Sequence, residues 1–218
     1  MTRHQVEIIA FHGWAHDVHC WDSLKLYFPD EIRLTTWDRG YFGLPNEIVG
    51  FQATTSPKIL IAHSFGLHFI PEELIQQADG IVFCSTFVSF GKEKILKRMH
   101  DSMKTNMGYV LSQFHANCAY PLQSDWRMPR NFSGKLLLDD LEQLSTSIFD
   151  PEKIKTDLPL LMLSGDSDRI VDKENIHNLA KLLAMNVVTV PKSGHGFIYT
   201  RPEITANHIL KFINTLTS

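Results

Sequence analysis

A serine at the end of an apolar run is the residue of this chain best placed to do chemistry. The run Lys58-Ile59-Leu60-Ile61-Ala62-His63-Ser64-Phe65-Gly66 ends in Ser64, and a helical pattern follows at once. This order predicts a strand, a tight turn and a helix, with the Ser64 hydroxyl held out at a strained turn. The usual motif is Gly-x-Ser-x-Gly, and here Ala62 replaces the first glycine while Gly66 keeps the second. The sequence therefore predicts a nucleophile at Ser64.

A serine hydroxyl needs a base to take its proton and an acid to orient that base. His195 follows the last apolar run and lies between two glycines, so it is the predicted base. Asp168 lies in the loop after the preceding run and is the predicted acid. Asp166 and Asp172 compete with Asp168 for that role, and one of these carboxylates could instead cap the helix expected next.

The oxyanion of a tetrahedral intermediate needs two N–H donors. The backbone N–H of Phe65, directly after the serine, is the first predicted donor. The loop His12-Gly13-Trp14 follows the first apolar run, and the N–H of Trp14 is the second predicted donor. His12 itself is predicted to be a structural histidine of this loop.

The elements that must hold these residues alternate between apolar runs and helical patterns. The runs do not alternate polar with apolar residues, which is typical of parallel strands buried on both faces. The sequence thus predicts a mostly parallel, doubly wound α/β sheet in one domain, residues 1–218. The predicted strands are Val6 to Phe11, Ile32 to Trp37, Ile59 to Ala62, Ile81 to Cys84, Leu158 to Leu163 and Val187 to Val190, and the predicted helices are Cys20 to Phe28, Phe65 to Gln77, Lys173 to Ala184 and Pro202 to Leu216.

The interval 87–157 interrupts this alternation. It is far longer than the ~4–6 residues that usually connect two elements, so it must carry structure of its own. Apolar residues recur in it at helical spacing, which predicts a helical cap inserted over the strand ends. The two series are Ile95, Met99, Met103, Met107, Val110 or Leu111, Phe114 and Cys118, and then Leu137, Leu141, Leu144 and Ile148.

The overall composition excludes several classes of protein. The chain has 218 residues and a net charge of −3, which gives no sign of a nucleic-acid partner. It has neither a signal-peptide pattern nor an apolar stretch of the ~20 residues needed to span a membrane. Its three cysteines are widely spaced, which favours free thiols in a reducing compartment. We predict a cytoplasmic monomer that needs no cofactor and no metal.

Taken together, these motifs resemble the α/β-hydrolases over almost the whole chain. The resemblance rests on five motifs that occur in the expected order. Ser64, Asp168 and His195 also follow one another along the chain as nucleophile, acid and base do in that fold. The first strand begins so early that the two leading strands of larger members are expected to be missing. The resemblance implies a minimal α/β-hydrolase fold with an inserted helical cap. The motifs are His12-Gly13-Trp14, Trp37-Asp38-Arg39-Gly40-Tyr41-Phe42-Gly43, Ala62-His63-Ser64-Phe65-Gly66, Gly165-x-x-Asp168-x-Ile170-Val171 and Gly194-His195 with Arg201-Pro202-Glu203 beyond.

Within that superfamily the chain resembles the pimeloyl-acyl-carrier-protein methyl ester esterases of biotin synthesis. The resemblance lies in the His-Gly-Trp loop, the histidine before Ser-Phe-Gly, the small size and the helical cap. It implies a serine carboxylesterase that hydrolyses the methyl ester of a carrier-bound acyl chain through an acyl-enzyme. Two residues depart from the usual pattern: Ala62 in the turn, and Leu67 where a second glycine often follows Gly66.

The charge of the cap supplies an independent argument about a partner. Residues 86–135 hold eight lysines and arginines against three acidic residues, although the whole chain is negative. A positive cap would steer an acidic partner such as acyl carrier protein to the site. Solvation of an exposed helix face explains the same charges equally well. Arg127 and Arg130 are the predicted carrier-binding residues, on the charge pattern alone.

Three other functions stay open on the sequence. A general short-chain carboxylesterase or thioesterase would use the same catalytic residues. A lyase or C–C hydrolase on this fold would also keep the triad. A binding protein could retain the fold without turnover, since a triad misaligned by about an ångström fails.

Overall fold

Six parallel strands form the sheet in the computed structural model, which describes residues 6–217. The strands are β1 (Val6–Phe11), β2 (Ile32–Trp37), β3 (Lys58–His63), β4 (Gly80–Cys84), β5 (Leu160–Gly165) and β6 (Val187–Val190). Their order across the sheet is β2-β1-β3-β4-β5-β6, and all five neighbouring pairs are parallel. The parallel α/β sheet predicted from the sequence is confirmed.

The strand register brings the carboxyl ends of the strands to one edge of the sheet. Phe11, the last residue of β1, pairs with Trp37 on one side and with Ala62 on the other. Gly165, the last residue of β5, pairs with Val190 at the end of β6. Because the strands are parallel, the loops after them all leave at this edge, where open α/β sheets bind their ligands.

Helices cover both faces of the sheet, and alternate residues of a strand serve the two sides. Ile9 and Phe11 of β1 join the core under one layer, whereas Ile8 and Ala10 join the core under the other. The helices are α1 (Asp22–Lys25), α2 (Glu72–Gln77), α3 (Glu93–Ala119), α4 (Gly134–Thr146), α5 (Lys173–Leu182), α6 (Phe197–Thr200) and α7 (Pro202–Thr217). Helices α1, α6 and α7 contribute buried residues to the second of these cores, and α2 to α5 contribute to the first.

The prediction of one long helix after Ser64 is wrong. A 3-10 helix spans Ser64–Phe69, and α2 begins only at Glu72. Pro71 causes the break, because proline has no N–H to donate and disfavours helical geometry in the residue before it. Ile70 is accordingly extended, with φ −71° and ψ 121°. The helix predicted from Cys20 is likewise reduced to a 3-10 turn, Val18–Trp21, followed by the single turn α1.

Two helices, α3 and α4, occupy the interval between β4 and β5. The apolar periodicity of the first series is present, but α3 is kinked at Asn106, whose φ of −149° and ψ of 68° are not helical. Ile148 does not continue the stripe of α4. It lies beyond the last residue of that helix and is 74 % exposed, so its place in the predicted series is wrong.

Polar contacts fasten α4 to the strand ends. The Arg39 guanidinium donates two hydrogen bonds to the buried carboxylate of Asp140, at 2.7 and 2.8 Å. The Tyr41 hydroxyl donates to the same carboxylate at 2.7 Å. The Trp14 indole N–H donates to the carbonyl of Leu137 at 2.9 Å. Bidentate arginine–carboxylate pairs fix geometry as well as charge, so these contacts fix α4 against the loops after β1 and β2.

Over residues 6–217, no helix combines the length and the apolar composition that crossing a bilayer requires. Cys20, Cys84 and Cys118 are all buried and free.

Candidate active site

Ser64 stands at a strained turn directly after β3. Its φ is 54°, in the left-handed region that residues with a side chain rarely adopt. The turn depends on Gly66, because a Cβ there would lie 2.3 Å from the carbonyl oxygen of Phe11 and 2.7 Å from that of His12. Only glycine lets the chain after Ser64 come this close to the end of β1.

His195 and Asp168 form a buried hydrogen-bonded pair. The Nδ1–H of His195 donates to Oδ2 of Asp168 at 2.9 Å, and both side chains are almost completely shielded from solvent. The other carboxylate oxygen accepts the backbone N–H groups of Ile170 and Val171 at 2.8 and 3.0 Å. Burial by itself would raise the pKa of Asp168, but His195 and these N–H donors outweigh it and hold the pKa below its usual value. Asp168 therefore stays ionised and fixes the ring of His195.

The structure separates Asp168 from the two competing aspartates. Asp166 accepts two backbone N–H groups of the loop that precedes His195, at 2.7 and 3.1 Å, and so shapes that loop. Asp172 occupies the N-cap position of α5 without a capping hydrogen bond, and it pairs with Lys92 at 2.9 Å. Of the three carboxylates, Asp168 is the one that contacts the imidazole.

The second ring nitrogen of His195, Nε2, is buried and has no hydrogen-bond partner in the part of the chain that the structure describes. Asp168 and His195 are thus brought together, while the hydrogen bond between His195 and Ser64 is not formed. In serine sites this link is often long without substrate and tightens when substrate binds.

The loop that carries Trp14 packs against the serine. A Cβ on Gly13 would lie 2.8 Å from Cβ and 3.3 Å from Oγ of Ser64, so the two turns are in direct contact. The N–H of Phe65 is in the first turn of the 3-10 helix, where no intrahelical acceptor is available. The two predicted oxyanion donors therefore lie on the two segments that meet at Ser64.

His12 is used within the same loop. Its Nδ1 lies 2.9 Å from the carbonyl of Gly13, and its Nε2 accepts the backbone N–H of Arg39 at 3.0 Å. With both ring nitrogens engaged, His12 joins the loops after β1 and β2.

A cavity of about 580 Å³ opens over Ser64 and Trp14. Its walls come from the cap and from the loop after β5, and they are largely apolar. Within residues 6–217, no group of three or more His, Cys, Asp or Glu side chains is arranged to hold a metal ion. The apolar walls of the cavity can enclose an apolar group next to the Ser64 hydroxyl. Its apolar lining includes Phe90, Met99, Val110, Phe114, Leu141 and Leu144.

His63 contacts His195, and the sequence did not predict this contact. The Nε2–H of His63 donates to the backbone carbonyl of His195 at 3.0 Å, and the two ring centroids are 4.7 Å apart. Burial, with a further contribution from the charge of His195, lowers the pKa of His63 to about 3, so His63 is neutral. No signal in the sequence connects these residues, because the contact depends on the fold.

Arg127 and Arg130, the predicted carrier-binding residues, lie in the segment between α3 and α4, and both are exposed. Arg127 lines a second cavity, of about 540 Å³, whose wall does not include Ser64. The structure therefore places Arg127 beside a different opening from that of the serine.

Comparison with solved structures places this geometry among known folds. No protein-family model and no curated protein sequence matches the chain. An esterase from Exiguobacterium antarcticum superposes with a TM-score of 0.81 at 14 % identity, covering 96 % of this chain and 92 % of that one. A thermophilic esterase from Thermogutta terrifontis gives 0.78 at 15 %, covering 100 % and 92 %. A bromoperoxidase from Bacillus anthracis gives 0.76 at 18 %, covering 97 % and 93 %. The chain has the α/β-hydrolase fold.

Proposed function

We propose that this protein is a serine hydrolase that cleaves carboxylic esters. The observation that carries the proposal is the buried, hydrogen-bonded pair of His195 and Asp168. The loops that carry this pair and Ser64 follow parallel strands and leave the sheet at the same edge. Several proteins of the same fold are described as esterases, which supports the same chemistry. A direct test is hydrolysis of a small aryl ester by the purified protein.

In the first half of the proposed reaction, Ser64 Oγ attacks the ester carbonyl carbon. Nε2 of His195 accepts the hydroxyl proton, and Asp168 stabilises the imidazolium that forms. The carbonyl oxygen becomes an oxyanion that accepts the N–H groups of Phe65 and Trp14. The intermediate collapses by breaking the C–O bond to the alcohol, which leaves with the proton from His195, and the acyl group stays on Ser64.

In the second half, water attacks the acyl-enzyme. His195 takes a proton from the water as the new C–O bond forms, and the oxyanion is bound as before. Collapse breaks the bond to Oγ of Ser64, which recovers its proton from His195, and the carboxylic acid departs. The cycle uses only side chains and backbone groups of this chain, and we propose no cofactor.

For the substrate, we propose the methyl ester of an acyl chain bound to acyl carrier protein, of the pimeloyl type. The apolar cavity over Ser64 suits such a chain, and the positive cap suits an acidic carrier. The cytoplasmic location and the monomeric state stay predictions. A rate comparison between a carrier-linked methyl ester and a generic aryl ester tests this choice. A general carboxylesterase or thioesterase, the second candidate, would be indifferent to the carrier.

Charge reversal on the cap tests the carrier directly. We expect Arg127→Glu with Arg130→Glu to lower kcat/KM for a carrier-linked ester about tenfold relative to that for a small ester, because steering by surface charge is lost. Steady-state rates at low and high salt measure the ratio. Lys181→Glu, an exposed reversal on α5, is the matched control and should keep the wild-type ratio. Equal losses on both substrates would contradict carrier docking at these arginines.

Replacement of His63 tests its role as a positioning residue. We expect His63→Phe to lower kcat at least about tenfold with little change in KM, because the loop of His195 loses its donor while the aromatic volume remains. His63→Gln, which keeps an N–H donor, should recover part of the loss. Thermal unfolding of both variants separates this effect from lost stability. A wild-type kcat in His63→Phe would remove His63 from the mechanism.

A further inference from the structure

The cavity over Ser64 carries positive charge without any compensating acid in its lining. Lys92, Arg98 and Arg169 all line it, and no aspartate or glutamate does so among the residues that the structure describes. The remaining polar side chains of the lining are neutral. A cavity lined by one sign of charge within apolar walls concentrates ligands of the opposite sign.

Two of the three cations are available to a ligand. Lys92 is engaged, since its Nζ donates to Asp172 at 2.9 Å and to the carbonyl of Ile170 at 3.0 Å. Arg98 and Arg169 form no ion pair with a carboxylate anywhere in residues 6–217. Both arginines are exposed and both line the cavity, so their charge stays in contact with water.

The positions of these arginines are set by different parts of the fold. Arg169 directly follows Asp168 and therefore belongs to the loop that holds the catalytic pair. Its guanidinium carbon lies over the ring of Tyr120, 3.1 Å from the ring centroid, which is a cation–π contact. Arg98 comes from α3 of the cap. The two cations therefore reach one cavity from different elements, the loop after β5 and α3.

We propose that Arg98 and Arg169 select esters whose apolar acyl chain ends in an anionic group, a carboxylate or a phosphate. This inference rests on the proposed esterase function of the same site. The ester carbonyl lies at Ser64, the chain contacts the apolar walls, and the anion accepts hydrogen bonds from the guanidinium groups. Guanidinium forks match the two oxygens of either anion, which makes arginine well suited to this role.

Three esters of one chain length test the proposal. They are the monomethyl ester of a straight-chain dicarboxylic acid, the same chain with a terminal phosphate, and the neutral dimethyl ester. We expect kcat/KM for one anionic ester to exceed that for the neutral ester about tenfold, with the advantage shrinking at high salt. A preference for the carboxylate indicates the substrate's own second acid group, whereas a preference for the phosphate indicates a carrier arm.

Variants assign the preference to these residues. The double variant Arg98→Met with Arg169→Met should bring the anionic-to-neutral ratio close to one. Lys94→Met, which removes a cation from the same helix outside the cavity lining, should keep the wild-type ratio. A ratio of one in the wild type, or an unchanged ratio in the double variant, overturns the proposal.

A binding measurement separates this inference from the esterase proposal. Calorimetric titration of the unreacting Ser64→Ala variant with the straight-chain dicarboxylic acid reports the anion site without turnover. We expect the two arginine substitutions to weaken this binding about tenfold. Binding that the arginines control, together with no hydrolysis of any ester by the wild type, would overturn only the esterase function. Hydrolysis by the wild type, together with binding that the two arginine substitutions do not weaken, would overturn only the anion site.

Discussion

Ser64→Ala is expected to abolish ester hydrolysis, with kcat reduced at least about a thousandfold. The acyl-enzyme cannot form without Oγ, and the activity left over from an oxyanion site and binding alone is small. The fold should survive, because the methyl group of alanine fits the same turn. Near-wild-type thermal unfolding together with lost turnover is the result that supports Ser64 as nucleophile.

Ser85 supplies the matched control for this substitution. It follows β4 as Ser64 follows β3, it has a φ of 49°, and its hydroxyl is buried without a hydrogen-bond partner in the described chain. Ser85→Ala therefore removes an equivalent hydroxyl from a similar turn and should retain wild-type turnover. Residual activity of Ser64→Ala within about tenfold of the wild type would exclude Ser64 as nucleophile.

Acidification from pH 7.5 to pH 5 is expected to remove a large part of the folding stability. Burial lowers the pKa of His63 and of His115 to about 3, and that of His68 to about 4. In the unfolded chain each of these imidazoles titrates near 6.5. Below that pH the unfolded chain binds more protons than the folded protein, so the stability falls as the pH falls.

The magnitude follows from the same linkage. At pH 5 each of the three histidines costs about 2 kcal/mol, so together they cost about 6 kcal/mol. Typical domains are stable by about 5–15 kcal/mol, so the effect is a major part of the total. The stability that these three neutral histidines contribute is complete above pH 6.5. It is lost progressively between pH 6.5 and the folded pKa values of about 3 to 4.

Chemical denaturation at a series of pH values measures this loss. The ring of His115 stacks on that of Trp126, with 4.1 Å between the ring centroids. His115→Phe keeps a ring at this position and removes one titrating group. Its stability should therefore depend less steeply on pH than that of the wild type. His19→Phe is the control, because His19 is exposed and its pKa is raised by a hydrogen bond to Asp22. A free energy of unfolding that is constant from pH 7.5 to pH 5 would contradict the neutral buried histidines.

Much of the fold could be read from the sequence because the strands are buried on both faces. Such strands are continuous apolar runs, and their carboxyl ends must lie at one edge when they are parallel. The turn at Ser64 could also be predicted, because an apolar run that ends in a small-x-Ser-x-Gly pattern is a local signal. The structure adds the reason for Gly66, since a Cβ there would lie 2.3 Å from the carbonyl oxygen of Phe11. The sequence also contained a signal for the break between the 3-10 helix and α2, namely Pro71 itself. The helical pattern of the residues around this proline obscured the signal.

Local sequence was enough to predict the strands, the strained turn at Ser64 and a short set of candidate acids and bases. Those features are local, since they depend on neighbouring residues and on backbone strain. Only the folded chain shows that Asp168 contacts His195, that His63 donates to the backbone of His195 from 132 residues away, and that Arg39 fastens α4 through Asp140. It also places Arg98 and Arg169 in the lining of one cavity. A hydrogen bond needs its donor and acceptor within about 3 Å, and only the folded chain brings residues distant in sequence within that range.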